Sequence, residues 1–183
     1  LSSGSKTTRD VIESSSGMAT TLSGKNVSAT AGNDINLKGS NAVSDQGTDF
    51  NAGNNVNVLA GQNTHRESHF VEEKKSGLMG SGGVGFTIGS QQQSTDAALT
   101  ETTSNASTVG ATNGNVNINA GKAYTQVGSD LIALNNDNQA NAGDVNVTAQ
   151  AIDIKAAENT ATSRTEQKSK QSGLTVAITS PVI

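Results

Sequence analysis

The chain has 183 residues, of which 32% are hydrophobic and 2% aromatic; its net charge is -4 and it has no cysteine. So little apolar material excludes a conventional globular core at this length. The mixed, slightly acidic charge argues against a nucleic-acid partner, which calls for a basic face. Without cysteine no disulfide framework is available, and stability must come from stacking.

In chain order, Leu1–Leu22 reads as the tail of a preceding unit, because Gly4-Ser5-Lys6-Thr7-Thr8 and its Ser/Thr-rich continuation resemble Gly89-Ser90 followed by Gln91–Thr108. Ser23–Thr112 is then one full repeat unit, and Asn113–Ile183 is a second, incomplete one. The sequence holds no signal peptide, transmembrane run or lipidation motif, and it opens in mid-pattern, as a fragment of a longer protein would.

The repeats are explicit. Val56–Leu78 returns as Ile152–Leu174 at a shift of 96, each stretch ending at Ser-Gly-Leu, and Asn26–Gly32 returns as Asn115–Gly121 at a shift of 89. Inside these lies a shorter period: Ala31–Leu37 matches Ala52–Val58 at a shift of 21, and Ala120-Gly121 is followed by Ala142-Gly143 at 22. Alternations such as Val56-Asn57-Val58 and Val145-Asn146-Val147 put aliphatic side chains on one face and polar ones on the other. Gly and Asn before them supply the turn. A period near 20 residues with short strands suits one coil of a parallel β-helix, a quasi-one-dimensional fold in which each unit packs on its neighbours. Val, Ile, Leu and Ala fill a narrow inner column, while Asn and Thr stack in ladders outside. The whole chain would make about eight or nine such coils, on the order of 40 Å of stack.

Two tracts interrupt the pattern. Asn63–Ser81 reads as a polar, charged excursion; Gln91–Thr108 is Ser/Thr/Gln-rich and fits an irregular coil, an outer strand or a loop. Between them Val84-Gly85-Phe86-Thr87-Ile88 is a strand with three apolar residues on one face, and Leu174–Ile178 is its counterpart.

Candidate chemistry is sparse. On a strand His65, Glu67 and His69 would face one way, and two imidazoles with a carboxylate can bind zinc. The same places in the second unit hold Ala161, Ser163 and Thr165, so a solvated outer face is the competing reading. Ser81–Ile88 faintly resembles a calcium-binding nonapeptide, but Thr87 stands where the liganding Asp should be. No other cofactor is indicated. Lys74 and Lys75 in one unit, and Lys168 and Lys170 in the other, are candidates for surface contact with anionic groups. The alternative is a charged edge that discourages strand-to-strand association. Polysaccharide-degrading enzymes also use β-helices, but they need clustered carboxylates and usually aromatic sugar platforms. Here the acids are scattered, and the aromatic residues are Phe50, Phe70, Phe86 and Tyr124.

The ordered set Ser23-Gly24-Lys25-Asn26-Val27, Ala31–Ser40 and Lys75–Ser90, occurring nearly twice, resembles the haemagglutinin repeats of filamentous-haemagglutinin-like exoproteins. This group includes the effectors of contact-dependent growth inhibition in Gram-negative bacteria. The resemblance implies an all-β, right-handed parallel β-helix, two-partner secretion through an outer-membrane transporter, and display as a surface filament. The long Ser/Thr tract and the Gly-Phe-Thr-Ile-Gly strand resemble the distal repeat region of growth-inhibition effectors, which implies engagement of the target cell's outer membrane and a toxin domain outside this segment. A host-directed adhesin is the other reading, although no Arg-Gly-Asp motif is present. In either case the segment is expected to be non-catalytic.

Overall fold

The computed structural model describes residues 2–80, 85–138, 140 and 143–177. Among these there is no helix; the chain is all-β. Its strands are β1 (Ser2–Ser15), β2 (Thr21–Ala31), β3 (Ile35–Lys38), β4 (Asn41–Ala52), β5 (Asn55–Leu59), β6 (Gly61–Gly80), β7 (Gly85–Asn105), β8 (Thr108–Ala111), β9 (Asn115–Ala120), β10 (Ala123–Val127), β11 (Asp130–Ala133), β12 (Val145–Thr148), β13 (Ala151–Lys155) and β14 (Thr160–Ala177). They divide into two compact units.

The first, the coil unit, comprises Ser15–Thr64 and Thr102–Thr160. It holds two sheets. One runs β3-β5-β10-β13; in the other β4 pairs with β2, β8 and β9, with β11 and β12 beyond. Every pairing in both is parallel. The chain thus winds from one sheet to the other as stacked coils: β2/β3, β4/β5, β8–β10 and β11–β13. The step between neighbours starts at 21 residues, with Ile35 opposite Val56, as the short period requires. It then becomes 68, because β6 and β7 intervene, with Asp49 bonded to Asn117. The 89-residue echo is one step of each. The 96-residue echo is likewise two steps, from Val56 through Tyr124 to Ile152.

Burial follows the alternation. Val56, Val58, Val109, Val116, Ile118 and Tyr124 are fully buried, with Phe50 and Val27 almost so. They form columns such as Ala29–Phe50–Ile118–Val147, continuous from coil to coil. Burying each large aliphatic or aromatic side chain contributes about 1.5–3 kcal/mol. Outside, Asn36–Asn57, Asp49–Asn117–Asn146 and Asn51–Asn119 form the expected amide ladders at 2.7–3.1 Å. Polar groups inside are satisfied: the Thr48 hydroxyl donates to the Gly110 carbonyl at 2.7 Å, and the buried Ser107 hydroxyl donates to Leu59 O at 2.7 Å while accepting the Ser40 N–H.

One short echo is not a stacking step. Gly121 follows β9 at the corner where Gly53 follows β4, and its N–H bonds to Ala52 O. Gly143 instead precedes β12 and bonds to Gly114 O, at a different corner, while Ala142 lies outside the described residues. The last coil steps by 22 residues at β8/β11, 29 at β9/β12 and 28 at β10/β13, so an Ala-Gly pair marks a turn without fixing the step.

The second unit, the hairpin unit, comprises Leu1–Ser14, His65–Glu101 and Ala161–Ile183 and holds one sheet, ordered β1-β6-β7-β14. Its pairings run antiparallel. Asp10, Glu13 and Ser14 meet His69, Arg66 and His65, and Thr87 and Ser90 meet Thr175 and Ser172. Only four residues separate β6 from β7, too few for a parallel crossover.

This sheet corrects two expectations. The polar excursion 63–81 and the Ser/Thr tract 91–108 are mostly long strands, so the tract resolves to the strand alternative. Among the described residues there are four coils rather than eight or nine. The physical reason is pairing: Ser, Thr and Gln accept an extended backbone when neighbours satisfy both of its edges, and no apolar face is required.

Candidate functional site

The hairpin sheet carries most of the chain's charged side chains, sorted by alternation onto two faces. On one face the Arg9 guanidinium lies over the Phe70 ring at 5.7 Å. Lys74 Nζ is 2.6 Å from Glu72, which also accepts a hydrogen bond from the Gln92 amide at 2.6 Å. Glu166 is gripped by Lys168 and Arg164, both at 2.7 Å. The hydrogen bond from Lys74, then that from Gln92, holds the Glu72 carboxyl below its ordinary range against a burial effect that raises it. Lys168 does the same for Glu166, more strongly than Arg164.

These contacts sort the four lysines. Lys74 and Lys168 spend their charge within the sheet. Among the described residues Lys75 and Lys170 form no ion pair, and each borders a shallow groove lined by Ser90 and Gln92, of about 270 Å³ beside Lys75 and 520 Å³ beside Lys170. The protective-edge reading fails for the first charged run. Glu72–Lys75 lies on β6, an inner strand paired on both sides, whereas 167–170 lies on the outer strand β14.

His65, Glu67 and His69 do share a face of β6, but the neighbouring strand engages both imidazoles. His65 Nδ1 meets Ser14 Oγ at 2.9 Å and His69 Nδ1 meets Asp10. Among the described residues no group of three His, Cys, Asp or Glu side chains is placed to hold a metal ion. Of the nonapeptide-like stretch, 81–84 lies outside the described residues; Thr87 sits buried in β7, its hydroxyl 2.9 Å from that of Thr175.

That threonine pair reveals what the sequence left unassembled. Thr87 and Thr175 share one face, so Phe86 and Ile88 lie on the other beside Val176 and Leu174, and Leu78 of β6 joins them. All five are exposed, Leu174 by 72% and Ile88 by 56%. Alternation flagged each strand separately; only the antiparallel register joins them into one apolar face. Val84 and Ile178, which continue the pattern, lie outside the described residues.

Stacked coils and a hairpin sheet, both grown from one imperfect repeat, define a repeat protein whose chemistry lies on extended faces and edges. The hemagglutinin repeat matches residues 1–150 and again 88–181, and the chain belongs to that family. It is 40% identical over 97% of its length to the tRNA nuclease CdiA of Escherichia coli O6:K15:H31. Identity is 40% over 94% with the 16S rRNA endonuclease CdiA of Enterobacter cloacae, and 35% over 88% with the tRNA nuclease CdiA-2 of Burkholderia pseudomallei. The chain spans 5% of each of these relatives. No solved structure matches it.

Proposed function

We propose that this chain is a non-catalytic segment of a secreted, surface-displayed filamentous exoprotein, the distal repeat region that engages a target cell's outer membrane and helps to deliver a toxin domain lying elsewhere in the protein. In this reading the coils wind as a right-handed parallel β-helix, the hand that parallel crossovers overwhelmingly take. The array divides into the preceding tail 1–22, a full unit 23–112 and an incomplete unit 113–183. Export uses an outer-membrane transporter partner, as the family resemblance implies.

The observation that carries this reading is the exposed face of Leu78, Phe86, Ile88, Leu174 and Val176 on a sheet whose side chains are mostly polar. A contiguous apolar patch on such a background marks a surface used in contact. Lys75 and Lys170, uncommitted within the sheet, are placed to meet anionic lipopolysaccharide groups. The test is binding of the fluorescently labelled chain to intact Gram-negative cells, with mammalian cells alongside. Saturable binding to the bacteria, weakened by Phe86→Ser with Leu174→Ser, is expected. Binding to mammalian cells alone would make the segment part of a host-directed adhesin, and binding to neither would make it a passive spacer.

A further inference from the structure

Each strand of the β3-β5-β10-β13 sheet ends at the same corner, and there the chain takes one of two paths. The four strands finish in register at Lys38, Leu59, Val127 and Lys155. The residues that follow are Gly39-Ser40, Ala60-Gly61, Gly128-Ser129 and Ala156-Ala157. After Gly39 and Gly128 the chain turns at once into β4 and β11. After Ala60 and Ala156 it runs on toward the long strands β6 and β14. Turn and exit therefore alternate along the stack.

Backbone conformation separates the two paths. Gly39 and Gly128 have φ of 56° and 52°, in the left-handed region that a Cβ disfavours. Among the described residues Asn138 is the only non-glycine with positive φ, so Ala60 and Ala156 keep ordinary backbone angles. Space points the same way. A Cβ on Gly39 would lie 3.0 Å from Gly61 Cα, and one on Gly128 would lie 2.2 Å from the Ala157 Cβ, so each turn is pressed against the exit of the following coil.

The interrupted coil nevertheless lacks none of the corner's hydrogen bonds. On the first rung, the Gly39 N–H donates to Leu59 O at 2.9 Å, the Ala60 N–H to Val127 O at 2.8 Å and the Gly128 N–H to Lys155 O at 2.9 Å. On the second rung a serine hydroxyl donates back to the end of its own strand: Ser40 to Lys38 O and Ser129 to Val127 O, both at 3.0 Å. In the interrupted coil Ser107 takes this part, donating to Leu59 O at 2.7 Å. Its backbone joins the same column. Thr108 N–H bonds to Ser40 O and Asp130 N–H to Ser107 O, as Asn41 N–H bonds to Thr20 O. Ala60 and Ser107 thus fill adjacent rungs, which the covalently joined pairs Gly39-Ser40 and Gly128-Ser129 fill in the neighbouring coils.

We propose that this corner is a conformational device. Gly-Ser closes the coil, alanine in the place of the glycine sends the chain out, and the β6–β7 excursion is an insert carried between two rungs of a coil that is complete without it. The stack can then carry or omit such a hairpin with its own hydrogen bonds unchanged.

The test deletes residues 61–106 from the chain in two forms, one with Ala60→Gly and one with Ala60 kept. They differ only at the residue that now joins Leu59 to Ser107. Tyr124, the only tyrosine and fully buried in the coil unit, reports through near-UV circular dichroism. The glycine form should keep that signal and lose it in one cooperative urea transition. The alanine form must hold a Cβ in the left-handed turn, and its urea midpoint should be lower by at least about 0.5 M. Absence of the tyrosine signal from the glycine form would make the hairpin part of the coil's own fold. Equal midpoints, or a higher one for the alanine form, would mean that the corner residue does not choose the path. Either result overturns the proposal, and neither depends on what the hairpin's apolar face binds.

Discussion

Gly53 sits where two coil corners press together, and Gly53→Ala tests whether backbone contact sets the spacing of the stack. A Cβ built there lies 2.1 Å from the Gly32 carbonyl oxygen. An ordinary carbon–oxygen contact is more than 3 Å, so the corner must retreat by about 1 Å or distort. Three hydrogen bonds cross this gap: Gly53 N–H to Ala31 O at 3.0 Å, Asn54 N–H to Asn33 O at 2.8 Å, and Asn55 N–H to Asp34 Oδ1 at 3.0 Å. A retreat of about 1 Å takes each beyond useful length, at about 1 kcal/mol apiece. Alanine returns about 0.4–1 kcal/mol by restricting the unfolded chain. The expected net loss is about 2–3 kcal/mol, read as a lower urea midpoint in far-UV circular dichroism. Gly32→Ala is the control. Nothing lies within 4 Å of its Cβ, and it should be neutral or slightly stabilising. If the two variants shift the midpoint equally, or Gly53→Ala does not shift it, the close-contact reasoning is wrong.

Ile118→Ala, at the centre of the Ala29–Phe50–Ile118–Val147 column, should cost about 2–5 kcal/mol in the same assay, with exposed Ile154→Ala costing much less. Burial pushes the phenol of Tyr124, the only tyrosine, above its ordinary value of 10.0, so its folded-state value exceeds the unfolded one. Its stabilising contribution is fully present below about pH 10 and is lost above it, at a slope of about 1.4 kcal/mol per pH unit. Tyr124→Phe, although it forfeits the bond to Gln126, should show a shallower alkaline slope in denaturant midpoints measured from pH 9 to 12. Glu72 and Glu166 are shifted the other way. Their contribution is present above the ordinary value of 4.5 and lost as pH falls through the lowered folded-state values. Unfolding followed from pH 6 to 2 should therefore be less acid-sensitive in Glu72→Gln/Glu166→Gln than in the parent chain.

The coil unit was largely legible in advance. Ile35-Asn36-Leu37 and Val56-Asn57-Val58 alternate and stand 21 residues apart, and a parallel in-register stack packs the aliphatic residues of one coil on those of the next while Asn36 and Asn57 pair outside. The hairpin unit was not. Gln91-Gln92-Gln93-Ser94-Thr95 has no apolar period to distinguish strand from loop, and its extended form depends on partners at a distance in sequence, Glu72 lying 20 residues before Gln92 and Ser172 82 residues after Ser90. Alternation put His65, Glu67 and His69 on one face, which made them candidate metal ligands against the competing reading of a solvated face. Nothing local announced that Ser14 and Asp10 would arrive opposite them.

By itself, then, the amino-acid order determined which residues repeat, which side of each short strand faces inward, and where the corners turn. Local sterics and the two-residue alternation of a strand act between near neighbours and are written in every stretch of the chain. Only tertiary structure decided that the 89- and 96-residue echoes are each two steps of stacking, that the polar tracts pair with one another as a separate antiparallel sheet, and that Leu78, Phe86, Ile88, Leu174 and Val176 meet on one face. Those outcomes depend on which backbone edges find each other. Edge pairing is made by N–H and C=O groups that every residue carries, so residue identity alone leaves the choice of partner open until the whole chain is folded.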